Sequence, residues 1–364
     1  MITAAREFAN RILGRGDATI TVPSFDGALK PNQLLEQADT LLECEAPEDL
    51  AVDGDSLLIA DGTRLLRLTA SSATTVRTFE RPISALAVLP SKALAVALGG
   101  TEVRVYDDIS ARNPSSTFTG GLCAVNALAA APDGTLVATD GSSLRGVADW
   151  PRDLMELGDT GRVFRLDPKM GNIRQIAGRL HYAFGAIASG SDVLVSESWK
   201  HRLVSIAPDG TRKVLLGRLP VYPSRLSPAR GGGFWLTAFA ARTQLVEFVL
   251  REPDYRRRMI AEIDPEFWVV PRLRSGNSFK EPLQGAHIKT MGVMKPWAPP
   301  RSYGLVIRLG ADGLPRYSLH SRADGFNHGI VAATELGDGL VVIAKGPGRV
   351  LRLPLGAAGE EIRT

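Results

Sequence analysis

Cysteine, long apolar runs and charge of one sign are all scarce in this chain. Its 364 residues include two cysteines, Cys44 and Cys123, which cannot staple a chain of this size, so a reducing cytoplasm is the expected location. No apolar stretch approaches the roughly 18 residues that a membrane-spanning helix requires. The N-terminal sequence has no continuous apolar block of the kind that marks a secretory signal. We therefore expect a cytoplasmic protein with no membrane span.

The charge balance argues against a nucleic-acid partner. The 43 basic and 39 acidic residues leave a formal net charge of only +4. The densest basic run, Arg256-Arg257-Arg258, has Asp254 and Glu262 beside it, which is typical of a solvated helix face. We expect no nucleic-acid partner, and the sequence does not determine an oligomeric state.

The chain is rich in turn-forming residues and contains a repeated sequence motif, referred to below as the repeated phrase. Its 37 glycines and 23 prolines predict many turns between short strands. The phrase is an apolar strand, a turn rich in Asp, Gly or Ser, a second strand, and a third strand with arginine. Its six copies begin at Pro47, Ile83, Val125, Ala183, Pro223 and Gly329. The third copy resumes at Gly161 and the fifth at Gly304, each after an insertion.

This repeat predicts the fold class. Units of about 40 residues with three or four short strands are what a β-propeller requires. One unit cannot bury both of its faces alone, so the units pack around a common axis. We therefore predict an all-β fold, a six-bladed β-propeller over residues 31–364, preceded by a helical or extended arm at residues 1–30. A β-sandwich is the alternative, but a turn at a fixed place in every copy argues against it.

Two insertions interrupt the repeat, at about residues 142–160 and 241–303. The second places apolar residues at helical spacing, among them Leu245, Val249 and Met259, and Pro253 divides it into two short helices. We predict that this helical insertion covers one rim of the propeller. It acts either as a lid over a ligand or as packing alone, and the sequence leaves both readings open.

At this point the sequence resembles a known family. The segments VNALAAAPDGTLVATDGSS, ESWKHR and LGRLPVYPSRLSPARGGGFWLTAF, with the closing ELGDGLVVIAKGPGRVLRLPL, are similar to strictosidine-synthase-like proteins. The likeness spans roughly residues 40–355. That family is related to gluconolactonases and paraoxonases. The resemblance implies a six-bladed propeller with a small-molecule pocket on its axis, but a fold does not by itself imply a reaction.

The resemblance also raises the question of a metal. Hydrolases of that superfamily hold a divalent cation, usually calcium, on carboxylate and asparagine side chains. The resemblance matches Glu48 and Asn126 to two of these ligands. At the other positions, Phe184 replaces an asparagine, and Ser224 and Arg225 replace an Asp-Asn pair. Phenylalanine cannot bind calcium and a serine hydroxyl binds it weakly. No cofactor is therefore expected, although the sequence leaves open whether a calcium ion binds weakly to Glu48 and Asn126.

The same register places six residues around one mouth of the channel. They are Glu48, Ser84, Asn126, Phe184, Ser224 and, at about the sixth position, His328. Arg225 adjoins this ring and points inward only if the start of its strand is irregular, since neighbouring strand residues face opposite ways. Our sharper hypothesis is that Arg225 or another nearby cation neutralises Glu48 in place of the lost metal. The alternative is that Glu48 accepts hydrogen bonds from backbone amides.

Several further residues are candidates for the same rim. Tyr182, His181 and Tyr222 precede inner strands and are predicted to line the entrance for a substrate. His328 lies between glycines in GFNHG and is a candidate general base, although a histidine in such a turn is more often structural. Glu197 and Lys200, in the ESWK segment, could serve chemistry, but they follow a second strand and are predicted to fix a blade edge, away from the axis.

These observations lead to three functional hypotheses. The first is a hydrolase acting on a lactone or ester, with little or no dependence on metal and with Glu48 and His328 as catalytic residues. The second is a propeller that only binds a small molecule or interacts with a partner. The third, a carbon–carbon-forming synthase, is disfavoured because the resemblance places its glutamate at about Val331, and Glu335 matches a different acid. The identity of the ligand cannot be read from the sequence.

Overall fold

The computed structural model describes residues 22–69, 72–274, 289–290, 293–294, 302–322 and 325–355. Most of the arm predicted at residues 1–30 lies outside the described residues, as does much of the second insertion. Within residues 22–30 there is one short 3-10 turn, Gly27–Leu29. Apart from one two-stranded ribbon, the described strands form six four-stranded antiparallel sheets, so the six-bladed propeller is confirmed.

The first half of the chain builds three blades and supplies one strand to the last. That strand is β1 (Asp39–Glu43). Blade 1 consists of β2 (Pro47–Asp53), β3 (Ser56–Asp61), β4 (Arg64–Leu68) and β5 (Ala73–Thr78). Blade 2 consists of β6 (Ile83–Val88), β7 (Leu94–Leu98), β8 (Glu102–Tyr106) and β9 (Ser116–Phe118). Blade 3 consists of β10 (Val125–Ala130), β11 (Leu136–Asp140), β12 (Gly161–Asp167) and β13 (Asn172–Leu180).

The second half builds the other three blades. Blade 4 consists of β14 (Ala183–Ser189), β15 (Asp192–Glu197), β16 (Arg202–Ile206) and β17 (Arg212–Leu216). Blade 5 consists of β18 (Val221–Pro228), β19 (Phe234–Ala241), β22 (Leu305–Leu309) and β23 (Pro315–His320), with the two-stranded ribbon β20 (Lys289–Thr290) and β21 (Val293–Met294) inserted in sequence. Blade 6 consists of β24 (Ile330–Leu336), β25 (Gly339–Ala344) and β26 (Arg349–Pro354), completed by β1.

The ring is closed by strands from both ends of the described chain. β1 pairs antiparallel with β26, so the outermost strand of blade 6 comes from the N-terminal side. The innermost strands β2, β6, β10, β14, β18 and β24 each contact the next one around the axis, and β24 contacts β2. The second strands are buried on both faces, as in β7 and β25, because each blade is packed between two others.

Every innermost strand carries an irregularity near its start. The residues that slip out of register there are Glu48, Ser84, Asn126, Phe184 with Gly185, Ser224 with Arg225, and Val331. A β-bulge turns a side chain away from the ordinary alternation of a strand. The bulges therefore bring one residue from each of blades 1, 2, 3 and 6, and two residues from each of blades 4 and 5, to the same end of the ring.

The insertions contribute short helices that pack on one another. The first carries a 3-10 turn, Val147–Asp149, followed by α1 (Trp150–Met155). The second carries α2 (Gln244–Arg251) and α3 (Pro253–Glu262), with Pro253 opening α3. An apolar cluster joins the two insertions through the buried side chains Met155, Val246, Val249, Met259, Trp268 and Val270. The insertions thus form a common layer beside the propeller.

Candidate functional site

A partly open pocket lies at the bulged end of the inner strands. Its described lining residues are Glu48, Asn126, Val147, Trp150, Tyr182, Phe184, Trp199, Phe239, Leu273, Val331 and Lys345. The cavity between these side chains has a volume of about 390 Å³, which includes its opening to solvent. Four of the bulge positions contribute to it, namely Glu48, Asn126, Phe184 and Val331.

Aromatic rings form most of one wall. Tyr182 and Trp199 stack with their ring centroids 4.4 Å apart. Trp150 meets Phe239 edge to face at 5.3 Å, and Phe184 lies 6.0 Å from Phe239. Such a group of rings presents flat, polarisable faces that favour flat apolar ligands. Trp150 comes from α1, so the first insertion supplies part of this wall.

Trp199 is a pocket residue that the sequence did not single out, since only its neighbours Glu197 and Lys200 were considered. The indole of Trp199 lines the pocket, because a 3-10 turn at Ser198–Lys200 carries it inward. Glu197 is fully buried at the end of its strand, where it accepts hydrogen bonds from the amide of His181 at 2.9 Å and from Arg202 at 2.5 Å. Glu197 therefore does fix the blade edge.

The polar end of the pocket is built around Glu48. The ammonium group of Lys345 donates to Glu48 Oε2, and the guanidinium of Arg225 donates to Glu48 Oε1 at 3.4 Å. Burial alone would raise the pKa of Glu48, but the charges of Lys345 and Arg225 bring it below its ordinary value. The carboxylate is thus ionised at neutral pH and held from two sides.

Arg225 lies beneath the pocket, where the backbone of blade 5 leaves strand register. Its side chain is 6% exposed. Besides Glu48, it donates to the carbonyls of Ser84 at 2.8 Å and Val331 at 3.3 Å. Its Nε lies 3.2 Å from Asp49 Oδ1. The irregular strand start that would turn Arg225 inward is therefore present.

The remaining ring residues are buried but differ in their contacts. Asn126 lines the pocket and donates from Nδ2 to the carbonyl of Ala183 at 3.0 Å. Ser224 lies outside the lining, with its hydroxyl 2.7 Å from that of Thr237. The hydroxyl of Ser84 is buried and has no hydrogen-bond partner within the described part of the chain.

Of the two tyrosines predicted for the entrance, only Tyr182 lines the pocket. Tyr182 is fully buried behind its ring contacts, and its burial raises the pKa of the phenol. Tyr222 is also fully buried but is not among the described lining residues; its ring packs against that of His201 at 4.6 Å. Tyr222 therefore belongs to the packing beneath the aromatic wall.

His328 is not at the sixth position of the ring. The irregularity of β24 falls on Val331, three residues further along the chain, and Val331 lines the pocket. His328 is 2% exposed, with Nδ1 2.6 Å from Ser302 Oγ and Nε2 2.8 Å from the carbonyl of Arg322. The described lining of the pocket does not include it. The register predicted from the GFNHG turn was wrong by three residues. The repeat does not fix the number of residues between that turn and the bulge.

The sequence reasoning missed Lys345 and most of the aromatic wall. Lys345 directly follows β25, whose six residues are all buried, so a charged residue after a wholly apolar strand was the available signal. Trp150 and Leu273 lie in the insertions, which do not follow the repeat. No spacing rule pointed to either of them.

The described residues contain no group of three or more His, Cys, Asp or Glu side chains arranged to hold a metal ion. No helix among them is long and apolar enough to cross a membrane. The fold and pocket together define a six-bladed propeller with an aromatic-lined pocket at one end of its inner strands.

Comparison with known proteins places the chain near one set of relatives. No family model matches it. It is 28% identical over 303 residues to the adipocyte plasma membrane-associated protein of Bos taurus and 25% identical to that of Mus musculus; in each case 72% of this chain and 73% of the relative are covered.

Solved structures with the same fold include a gluconolactonase from Xanthomonas campestris, with a TM-score of 0.56, 16% identity, and coverage of 92% of this chain and 97% of the other. Regucalcin from Agrobacterium tumefaciens, a calcium-binding protein, has a TM-score of 0.55, 13% identity, and coverage of 91% and 94%. At these identities the likeness is one of fold.

Proposed function

We propose that this propeller hydrolyses an ester or lactone that carries a flat apolar group, and that it does so without a metal ion. The observation that carries the proposal is the Lys345–Glu48 pair at the polar end of an otherwise aromatic pocket. A pocket of this kind, apolar with a few convergent polar groups, is the usual form of a small-molecule site. The resemblance to strictosidine-synthase-like proteins and the cytoplasmic location both stay predictions, and both are consistent with this proposal.

The chemistry follows from the two charged groups. The Lys345 ammonium would donate a hydrogen bond to the carbonyl oxygen and stabilise the negative charge that develops there. Glu48 would accept a proton from a water molecule whose oxygen adds to the carbonyl carbon. The acyl–oxygen bond then breaks, and the proton passes to the leaving oxygen, giving an acid and an alcohol. The lowered pKa of Glu48 makes it a weak base, so positioning of the water is its larger contribution.

The donors present argue against a calcium-dependent version of this chemistry. Calcium takes six to eight oxygen ligands. Both carboxylate oxygens of Glu48 already accept from cationic groups, and Phe184 and Val331 offer no side-chain oxygen at two ring positions. Some of the solved structures are named gluconolactonases, which agrees with a lactone as substrate, although their identity to this chain is too low to assign it.

A second candidate function is binding without catalysis. It is favoured by the close pairing of Glu48 with both Lys345 and Arg225, which lowers the basicity of the carboxylate. A carbon–carbon-forming synthase is disfavoured, because Val331 occupies the position at which the resemblance would place its glutamate.

The test is a hydrolysis assay with phenyl acetate, 1-naphthyl acetate and dihydrocoumarin, each with and without EDTA. We expect turnover that EDTA does not reduce. Lys345→Met should lower kcat/KM by about 100-fold or more, since one lost transition-state donor has an effect of that order. Lys213→Met, at an exposed position on β17, is the control and should leave the rate unchanged.

Two results would contradict the hydrolase proposal. Loss of turnover in EDTA would restore a metal mechanism. Absence of turnover with all three substrates, together with quenching of tryptophan fluorescence by 1-naphthol, would favour the binding protein, because Trp150 and Trp199 both line the pocket.

A further inference from the structure

The guanidinium of Arg225 is surrounded by oxygen atoms from three inner strands. They are the carbonyl oxygens of Glu48 (2.9 Å), Ser84 (2.8 Å) and Val331 (3.3 Å), Oε1 of Glu48 (3.4 Å) and Oδ1 of Asp49 (3.2 Å). These strands belong to blades 1, 2 and 6, whereas Arg225 comes from blade 5. The side chain therefore reaches across the axis of the propeller and fills its centre.

These oxygens form a site suited to a cation. Two belong to carboxylates and three to carbonyls, which are the hard ligands that divalent cations such as calcium bind. The hydroxyl of Ser84 is buried at the neighbouring bulge and has no hydrogen-bond partner among the described residues, so it is available as a further oxygen. An arginine has five N–H donors and no acceptor, so one guanidinium can donate to several of these oxygens at once.

We propose that Arg225 is the built-in cation of this propeller, and that its guanidinium fills an oxygen cage which would otherwise take a divalent cation. The bulge at Ser224 and Arg225 is what makes this replacement possible, because it turns both residues out of the strand. In the wild-type protein the guanidinium itself supplies the positive charge inside this cage. Removing the guanidinium exposes a site of five oxygens that carries the charges of Glu48 and Asp49.

The proposal does not rest on the hydrolase function, since its test needs no substrate. The full chain and its Arg225→Ala variant are unfolded by heat in EDTA, in 10 mM CaCl₂ and in 10 mM MgCl₂. Loss of one partner from a buried charge cluster is strongly destabilising, so the variant should melt well below the wild type in EDTA. Calcium should then raise the Tm of the variant by about 2–4 °C and leave the wild-type Tm unchanged.

Arg308→Ala is the matched control. Arg308 is 7% exposed, lies in the same blade and donates to the carbonyls of Arg230 and Gly232. Among the described residues it forms no salt bridge with a carboxylate. This variant should also lose stability, but calcium should not restore it. Adding Glu48→Gln to the Arg225→Ala variant removes one of the two carboxylate charges and should reduce the calcium response.

Three results would overturn the proposal: a calcium-dependent Tm in the wild type, an Arg225→Ala variant that folds and gives no response to either cation, or an equal response in Arg308→Ala. If Arg225→Ala does not accumulate as folded protein, Arg225→Gln takes its place, because it keeps donors for two of the carbonyls while removing the charge. The same calcium response is expected of it, and its absence counts equally against the proposal.

Discussion

The indole N–H of Trp199 donates to Asp153 Oδ1 across 2.7 Å, and this bond ties blade 4 to helix α1 of the first insertion. Asp153 is 3% exposed and lies one helical turn after Trp150. Trp150 and Trp199 both line the pocket. One short helix therefore supplies one ring of the aromatic wall directly and holds a second in place through a carboxylate. Asp153 is a positioning residue for the pocket.

Two substitutions of Asp153 distinguish the effect of its hydrogen bond to Trp199 from the effect of its negative charge. Asp153→Ala leaves the Trp199 N–H without its partner and should cost about 1–3 kcal/mol of unfolding free energy and weaken 1-naphthol binding. Asp153→Asn keeps an acceptor oxygen and should retain most of both. Urea unfolding and fluorescence titration measure the two effects. Equal loss in the two variants would contradict a positioning role.

A glycine explains how blades 4 and 5 approach each other at the bulges. A Cβ atom on Gly185 would lie 2.4 Å from the carbonyl oxygen of Ser224 and 2.6 Å from Arg225 Cα, both backbone atoms. Gly185→Ala should therefore destabilise the protein by about 2–4 kcal/mol, because two inner strands must move apart. Gly146→Ala is the control, since nothing lies within 4 Å of a Cβ there. Comparable denaturation midpoints for the two variants would refute the steric argument.

The repeat made most of the ring predictable from the sequence. Five bulge positions follow the same phrase in their copies, so Glu48, Ser84, Asn126, Phe184 and Ser224 could be placed without a structure. A β-bulge occurs at the same point in each of these strands, and the resemblance to a known family supplied the register. The sixth position failed because the turn before β24 is not part of the repeated phrase.

The rest of the pocket could not be predicted for a physical reason. Trp150 and Leu273 lie on insertions whose packing depends on contacts far apart in sequence, such as the bond from Arg256 to the carbonyl of Met155 at 2.7 Å. Lys345 follows an ordinary second strand, and only the closed ring brings its ammonium to Glu48. The sequence repeat predicts the strands of a single blade, whereas this pocket depends on contacts between residues of different blades.

His328 offers a direct test of the catalytic role that the sequence suggested. Both ring nitrogens face hydrogen-bonding atoms of Ser302 and Arg322. His328→Ala should therefore lower the free energy of unfolding by about 1–3 kcal/mol and leave kcat/KM for 1-naphthyl acetate unchanged in the folded fraction. Circular dichroism and the ester assay on the same preparation distinguish the two effects. A fall in kcat with unaltered stability would restore His328 as a general base.

Asp49 should make stability depend on pH in a defined direction. Burial raises its pKa to about 6, although Arg225 and the amides of Leu86 and Leu50 act against the shift; Glu48 adds to it. A carboxyl whose pKa is higher in the folded state stabilises the fold when protonated, so its contribution is present below the unfolded pKa and is lost as pH rises through about 6.

Asp49→Asn stays neutral throughout, which isolates the effect of this group. The unfolding free energy of the wild type minus that of the variant should fall by on the order of 2–3 kcal/mol between about pH 4 and pH 6.5 and then level off. Asp209→Asn, at an exposed turn where hydrogen bonds from Thr211 lower the pKa, should give a small difference of opposite slope. Urea unfolding at half-unit pH intervals measures both curves. A flat or rising difference for Asp49→Asn would mean that Arg225 keeps Asp49 ionised, and that the central guanidinium is balanced by two carboxylates at every pH at which the protein is folded.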